Sequence, residues 1–163
     1  MNESTQPDEL SHFDAQGAAR MVDVSSKSVT SRRAMATARV RMKPATLQRI
    51  RQVDLAKGDV LQIARLAGIQ AAKQTAQLIP LCHVVPLSSV EVDFACLDAS
   101  NEVAICAAVS ADHRTGVEME ALTAAAIAAL TIYDMCKAID REISIHELQL
   151  VEKTGGKSDF HRS

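Results

Sequence analysis

A chain of 163 residues with 47% hydrophobic content is long enough for one domain burying about 70% of its unfolded surface, and too short for two. A formal net charge of −2 argues against a broad nucleic-acid-binding face, and 2% aromatic content with no Trp leaves the core to Ala, Val, Ile, Leu and Met. No apolar leader opens the chain, no uncharged run reaches the roughly 18–20 residues of a membrane span, and Cys82, Cys96, Cys106 and Cys136 form no C-x-x-C pair, so a soluble, cytoplasmic protein with free, mostly buried thiols and no membrane contact is expected.

Residues 1–36 read as an N-terminal extended arm. Its SSKSVTSRR stretch sets Lys27, Arg32 and Arg33 among Ser and Thr without periodicity. Either the arm orders by lying on something or it is a solvated tail. The catalytic domain is expected over 37–154. From Thr37 to Lys43 apolar and polar residues alternate, which predicts a strand with one wet face. Pro44 begins a short helix. A longer helix is predicted from about Asp59 to Gln77, stopped by Pro80.

Ser89–Leu97 and Val103–Ser110 read as a hairpin joined through the turn residues DASNE. The stretch Val117–Arg141 has no Gly or Pro and predicts one long helix. A last strand is expected over His146–Lys153, with Leu148 and Leu150 on one face, and 155–163 as a mobile tail. The order β-α-β-β-α-β predicts an α+β, ferredoxin-like domain: a four-stranded antiparallel sheet with helices on one face. Apolar residues on the hairpin's second face, Cys96, Ala104, Cys106 and Ala108 among them, suggest that a second subunit or the arm covers it.

Ionisable residues bracket the long helix, with Glu118 and Glu120 at its start and Asp134 and Lys137 near its end. Asp134 and Lys137 stand one turn apart. A partly dry cleft would bring their proton affinities together and suit acid/base exchange near neutrality. The competing reading is an ordinary exposed i,i+3 pair, contributing about 0.2–0.5 kcal/mol. Glu118 and Glu120 are also favoured by the helix dipole whatever their function. Fourteen residues of helix separate Glu120 from Asp134 by about 21 Å, so a single site containing both ends needs a second subunit.

His83 sits at the junction after Pro80. Lys57, Lys73, Lys27, Arg32, Lys137 and Lys153 could together form a polyanion site, with a phosphorylated small molecule as the economical ligand. GGKS at 155–158 is no Walker loop, because the motif's first Gly would fall on Val151 and no helix follows. No residue is assigned to a metal.

The segments KGDVLQIARLAGIQAAKQTAQLIPLCH, TGVEMEALTAAAIAALTIYDMCKA and LVEKTGGKS, with LSHFDAQGAARMVDVSSKSVTSRRA upstream, resemble the molybdenum cofactor biosynthesis protein C family over about residues 10–158. The resemblance implies a cyclic pyranopterin monophosphate synthase that converts 3',8-cyclo-7,8-dihydro-GTP to cyclic pyranopterin monophosphate and diphosphate. It also implies a homohexamer built as a trimer of dimers, with active sites at subunit interfaces, and no cofactor. Motif by motif it places the family's active-site Asp and its Lys partner on Asp134 and Lys137, and we expect these two to act as the acid/base pair with Lys57 and Glu118 assisting. Substrate contacts fall on Leu81, Cys82, His83, Met119 and Glu120, and the family's basic residues on Lys27, Arg32, Lys57, Lys73 and Lys153; His83, Lys73, Lys153 and the arm cations are expected to hold the triphosphate.

The chain departs from the family pattern at Val84-Val85, where the pattern has Pro-Leu, and at Asp159-Phe160-His161, where it has Gly-His-Trp. A ligand-binding paralogue with weak catalysis is the main alternative. An RNA-binding module would need aromatic residues on the sheet face, and the hairpin supplies only Phe94.

Overall fold

The computed structural model describes residues 12–52 and 58–163. Strand β1 spans Thr30–Arg41, starting earlier than the alternation alone marks. Ala34, Ala36, Ala38 and Val40 are fully buried on one face, while Arg33, Thr37, Arg39 and Arg41 stand on the other. Arg32 hides the strand's beginning from the sequence pattern, because a charged side chain occupies a core-side position and is only 9% exposed.

Helix α1 spans Pro44–Arg51, with Pro44 in its first turn where a missing N–H loses no bond. Helix α2 covers Val60–Lys73 and is capped by the Asp59 carboxylate, which accepts from the Leu61 and Gln62 amides. The expected single helix to Gln77 is broken: a separate turn, α3, covers Thr75–Leu78. Thr75 Oγ1 donates back to the Ala71 and Ala72 carbonyls at 3.2 and 3.0 Å, which draws the chain out of regular helix.

Strands β2 (Ser89–Leu97) and β3 (Glu102–His113) form the expected hairpin, with Asn101 in the left-handed region at φ 55°. Helix α4 covers Glu118–Cys136 and stops short of the predicted Arg141. Buried Asp140 turns the chain there, its carboxylate accepting from the Lys43 and Glu142 amides and the Thr46 hydroxyl. Strand β4 covers Ser144–Thr154 and β5 covers Phe160–His161.

The strands assemble in the order β2-β3-β1-β4-β5, each antiparallel to its neighbour. The sheet therefore has five strands rather than four. A strand of two residues carries no readable alternation, and β5 is held by pairing with Glu152 and Lys153 and by Arg162, whose Nε donates to the Leu150 carbonyl. The expected alternation of Leu148 and Leu150 in β4 also fails. Two register shifts against β1, with Glu147 at φ 51°, leave Leu148 46% exposed while Leu150 packs on the core.

Helix α4 lies across β1, β3 and β4, and α2 packs on α4 and β2. By length and composition α4 could cross a membrane, but here Ala121, Ala124, Ala125, Ala128, Ala129 and Ile132 are fully buried in the core. Each methyl contributes only about 0.8 kcal/mol, so this core relies on close approach. A Cβ on Gly68 of α2 would come within 3.0 Å of the Ala124 carbonyl oxygen. On the sheet's other face Ala104, Cys106 and Ala108 are half-buried, but Cys96 is not with them. Cys96 pairs with core residue Val103 and faces the helices. Of the four free thiols, only Cys136 is fully buried.

Candidate active site

Strand register brings three termini to one end of the sheet. Thr30 pairs with His113 and Arg33 with Thr154, so the start of β1 and the ends of β3 and β4 meet where α4 begins. Between them opens a cleft of about 550 Å³, whose lining includes Lys27, Arg32, Arg33, Arg114, Lys153 and Lys157. Arg32 donates from Nε to the His113 carbonyl at 3.0 Å and from Nη2 to the Arg114 carbonyl at 3.1 Å. Carbonyls orient this guanidinium without cancelling its charge, which leaves a cation prepared for an anion.

A second cleft of about 420 Å³ adjoins the first and shares Lys27, Thr115, Gly116 and Glu118 with it. Leu81, Cys82, His83, Met119 and Glu120 line it. The arm forms its outer side: His83 Nε2 is 2.8 Å from the Val22 carbonyl, and Arg114 Nη1 donates to the Ser25 carbonyl. A carbonyl only accepts, so His83 carries its proton on Nε2. Asp23 fixes the arm's bend by accepting from the Ser25 amide at 2.8 Å, and that bond holds its carboxyl below the usual range.

Glu120 is 4% exposed, and burial, reinforced by nearby Glu118, pushes its carboxyl up to about 7. The same burial, with the two glutamates, raises the Cys82 thiol, which disfavours it as a nucleophile. Lys153 Nζ pairs with Glu118 Oε1 at 3.0 Å. This end of the molecule thus juxtaposes a polycationic pocket with a carboxyl that titrates near neutrality.

Eight of the nine expected substrate contacts, Lys27, Arg32, Leu81, Cys82, His83, Met119, Glu120 and Lys153, gather here with Glu118. Both glutamates line the second cleft. Asp134 and Lys137 lie at the far end of α4, their side chains 67% and 55% exposed and joined by a hydrogen bond of 2.5 Å. The expectation of a partly dry pair is not met within this chain. Hydrogen bonding to Asp134 raises the Lys137 ammonium pKa instead of bringing the two affinities together. Lys73 lines a separate groove of about 400 Å³ with Val85 and Leu87. Lys57 lies outside the described residues.

Arg33, read only as one of the arm's basic residues, and Arg114 were not among the expected site residues. The signal for Arg114 was the pairing of β3 with β1, which carries the DHRTG segment back beside the SRR segment. The departures from the family pattern fall differently. Val84 is 82% exposed, whereas Asp159 accepts from the Gly155 amide at 3.1 Å and anchors the loop that carries Lys157.

Fold and site together define an α+β protein with a basic cleft beside a carboxyl and imidazole cleft. A profile of the MoaC family matches residues 21–156. The chain is 54% identical over 156 residues to the cyclic pyranopterin monophosphate synthase of Brevibacillus brevis, covering 95% of this chain and 97% of that protein. It is 58% identical to the enzyme of that name from Chloroflexus aggregans, over 95% of this chain and 94% of the relative. The corresponding protein of Thermomicrobium roseum is 57% identical, over 94% and 93%. The chain belongs to the MoaC family.

Proposed function

We propose that this chain is a cyclic pyranopterin monophosphate synthase of molybdenum cofactor biosynthesis, a phosphorus–oxygen lyase acting on 3',8-cyclo-7,8-dihydro-GTP. The observation that carries the reading is the shared wall of the two clefts, where Lys27 and Glu118 face both. In this reading the triphosphate lies among Lys27, Arg32 and Lys153, and the ring system lies against Leu81, His83 and Glu120. The cyclic phosphate forms as a substrate hydroxyl oxygen bonds to the α-phosphorus and gives its proton to a base, while the bond from phosphorus to the bridging oxygen breaks and releases diphosphate, whose charge the basic cleft stabilises. Ring opening and reclosure break and remake ring bonds with proton transfers at each step and leave the oxidation level unchanged, so no redox cofactor enters.

Asp134 and Lys137 act in this scheme as the acid/base pair, supplied by a neighbouring protomer. The α4 geometry supports that assignment, because about 21 Å separate Asp134 from Glu120. We accordingly assign a homohexamer, a trimer of dimers with shared sites, in the cytoplasm. The strand order β2-β3-β1-β4 supports a ferredoxin-like frame extended by β5.

The test supplies the cyclised dihydro-GTP substrate and follows pterin and diphosphate. Wild type should turn over, whereas Asp134→Asn and Lys137→Ala should each lose about 10²-fold or more. Because both side chains are exposed, their circular dichroism should match wild type. Full activity in both variants would overturn the mechanism. Tight binding without turnover by wild type would make the protein a binding subunit.

A further inference from the structure

The larger cleft contains, among cations, one carboxylate: that of Glu118. Main-chain carbonyls hold Arg32 and Arg114, and the Glu152 carboxylate lies 4.0 Å from Arg33, outside the lining. Lys153 differs, since its ammonium is paired inside the cleft with Glu118 at 3.0 Å. Gly116 makes room for that pairing. A Cβ there would lie 1.8 Å from Glu118 Oε2, and the three nearest atoms all belong to the Glu118 carboxyl.

We propose that Glu118 and a substrate phosphate exchange on Lys153: the carboxylate holds the ammonium until the polyphosphate displaces it, and then turns into the neighbouring cleft that it also lines. This rests on the phosphate reading of the larger cleft. Two anions on one ammonium repel, and a polyphosphate carrying several charges outcompetes a single carboxylate there. The exchange couples phosphate capture to delivery of a free carboxylate beside Glu120 and His83. Gly116 is then a positioning residue, since a side chain there would displace the carboxyl from the place in which it reaches Lys153.

Calorimetric titration of the intact protein with inorganic triphosphate tests the exchange. Glu118→Gln should bind about two- to fivefold more tightly than wild type, the factor that releasing a partly exposed ion pair gives. Gly116→Ala keeps the charge but removes its seat, and should also tighten binding. In a Lys153→Met background the gain from Glu118→Gln should vanish. The exchange is overturned if neither variant tightens binding, or if the gain persists without Lys153. If none of the proteins binds triphosphate, the phosphate reading falls, and the exchange falls with it.

Discussion

Glu120 places a carboxyl where water barely reaches, and its protonation follows from that position. Its folded pKa of about 7 lies above the ordinary 4.5, so its contribution to stability is full below pH 4.5 and is lost as pH rises through 7. Above that range the buried carboxylate destabilises the fold by about 1–3 kcal/mol. Glu120→Gln should therefore melt higher than wild type at pH 8 and alike at pH 5, as read by differential scanning calorimetry. A melting difference that ignores pH would sink the assignment. The sequence marked Glu120 as an ionisable residue at the start of the long helix, and the family motif made it a substrate contact, but neither showed its burial. A glutamate in a helix's first turn has a sufficient explanation in the dipole, and its burial comes from packing that no local pattern encodes. The exposure of Asp134 and Lys137 was likewise illegible, because i,i+3 spacing fixes which groups meet but not how much solvent they see.

Among the elements, the β4 terminus carries the tightest steric demand. Gly155 has φ of +81°, and a Cβ on it would stand 1.8 Å from the Ser31 carbonyl oxygen, while Thr30 Oγ1 donates to the Gly155 carbonyl at 2.7 Å. Gly155→Ala should destabilise the protein by at least about 1–3 kcal/mol from backbone strain, readable in urea melts, and should weaken triphosphate binding by shifting the Lys157 loop. Unchanged stability and binding would show that the loop adapts. Element order and most boundaries were legible, because β1 alternates, Asp59 caps α2 and Pro44 opens α1. The bulges of β4, the turn that ends α4 and the pairing of β5 were not. Each depends on a distant partner: β1 for the bulges, Lys43 and Thr46 for the Asp140 turn, and Glu152 and Lys153 for β5.

At the scale of the whole molecule, the cleft and the proposed acid/base pair occupy opposite ends of α4, so the proposed site would close only between protomers. Six chains of 17.5 kDa should give a particle of about 105 kDa in light scattering. Complementation checks the shared site directly. Asp134→Asn and His83→Ala should each be inactive alone, yet co-assembled mixtures should regain activity at those interfaces that combine two intact halves. Mixtures as inactive as either parent would place both groups in one protomer's site.

The alanine seam between α2 and α4 has a further consequence. With Gly68 pressed against the Ala124 carbonyl, the two helices have no room to slide, so α4 behaves as a rigid ruler about 27 Å long. Its length would set how far apart neighbouring copies meet. Lengthening it by one residue would swing one end through about 100° relative to the other, scrambling the quaternary arrangement even where each subunit still folded.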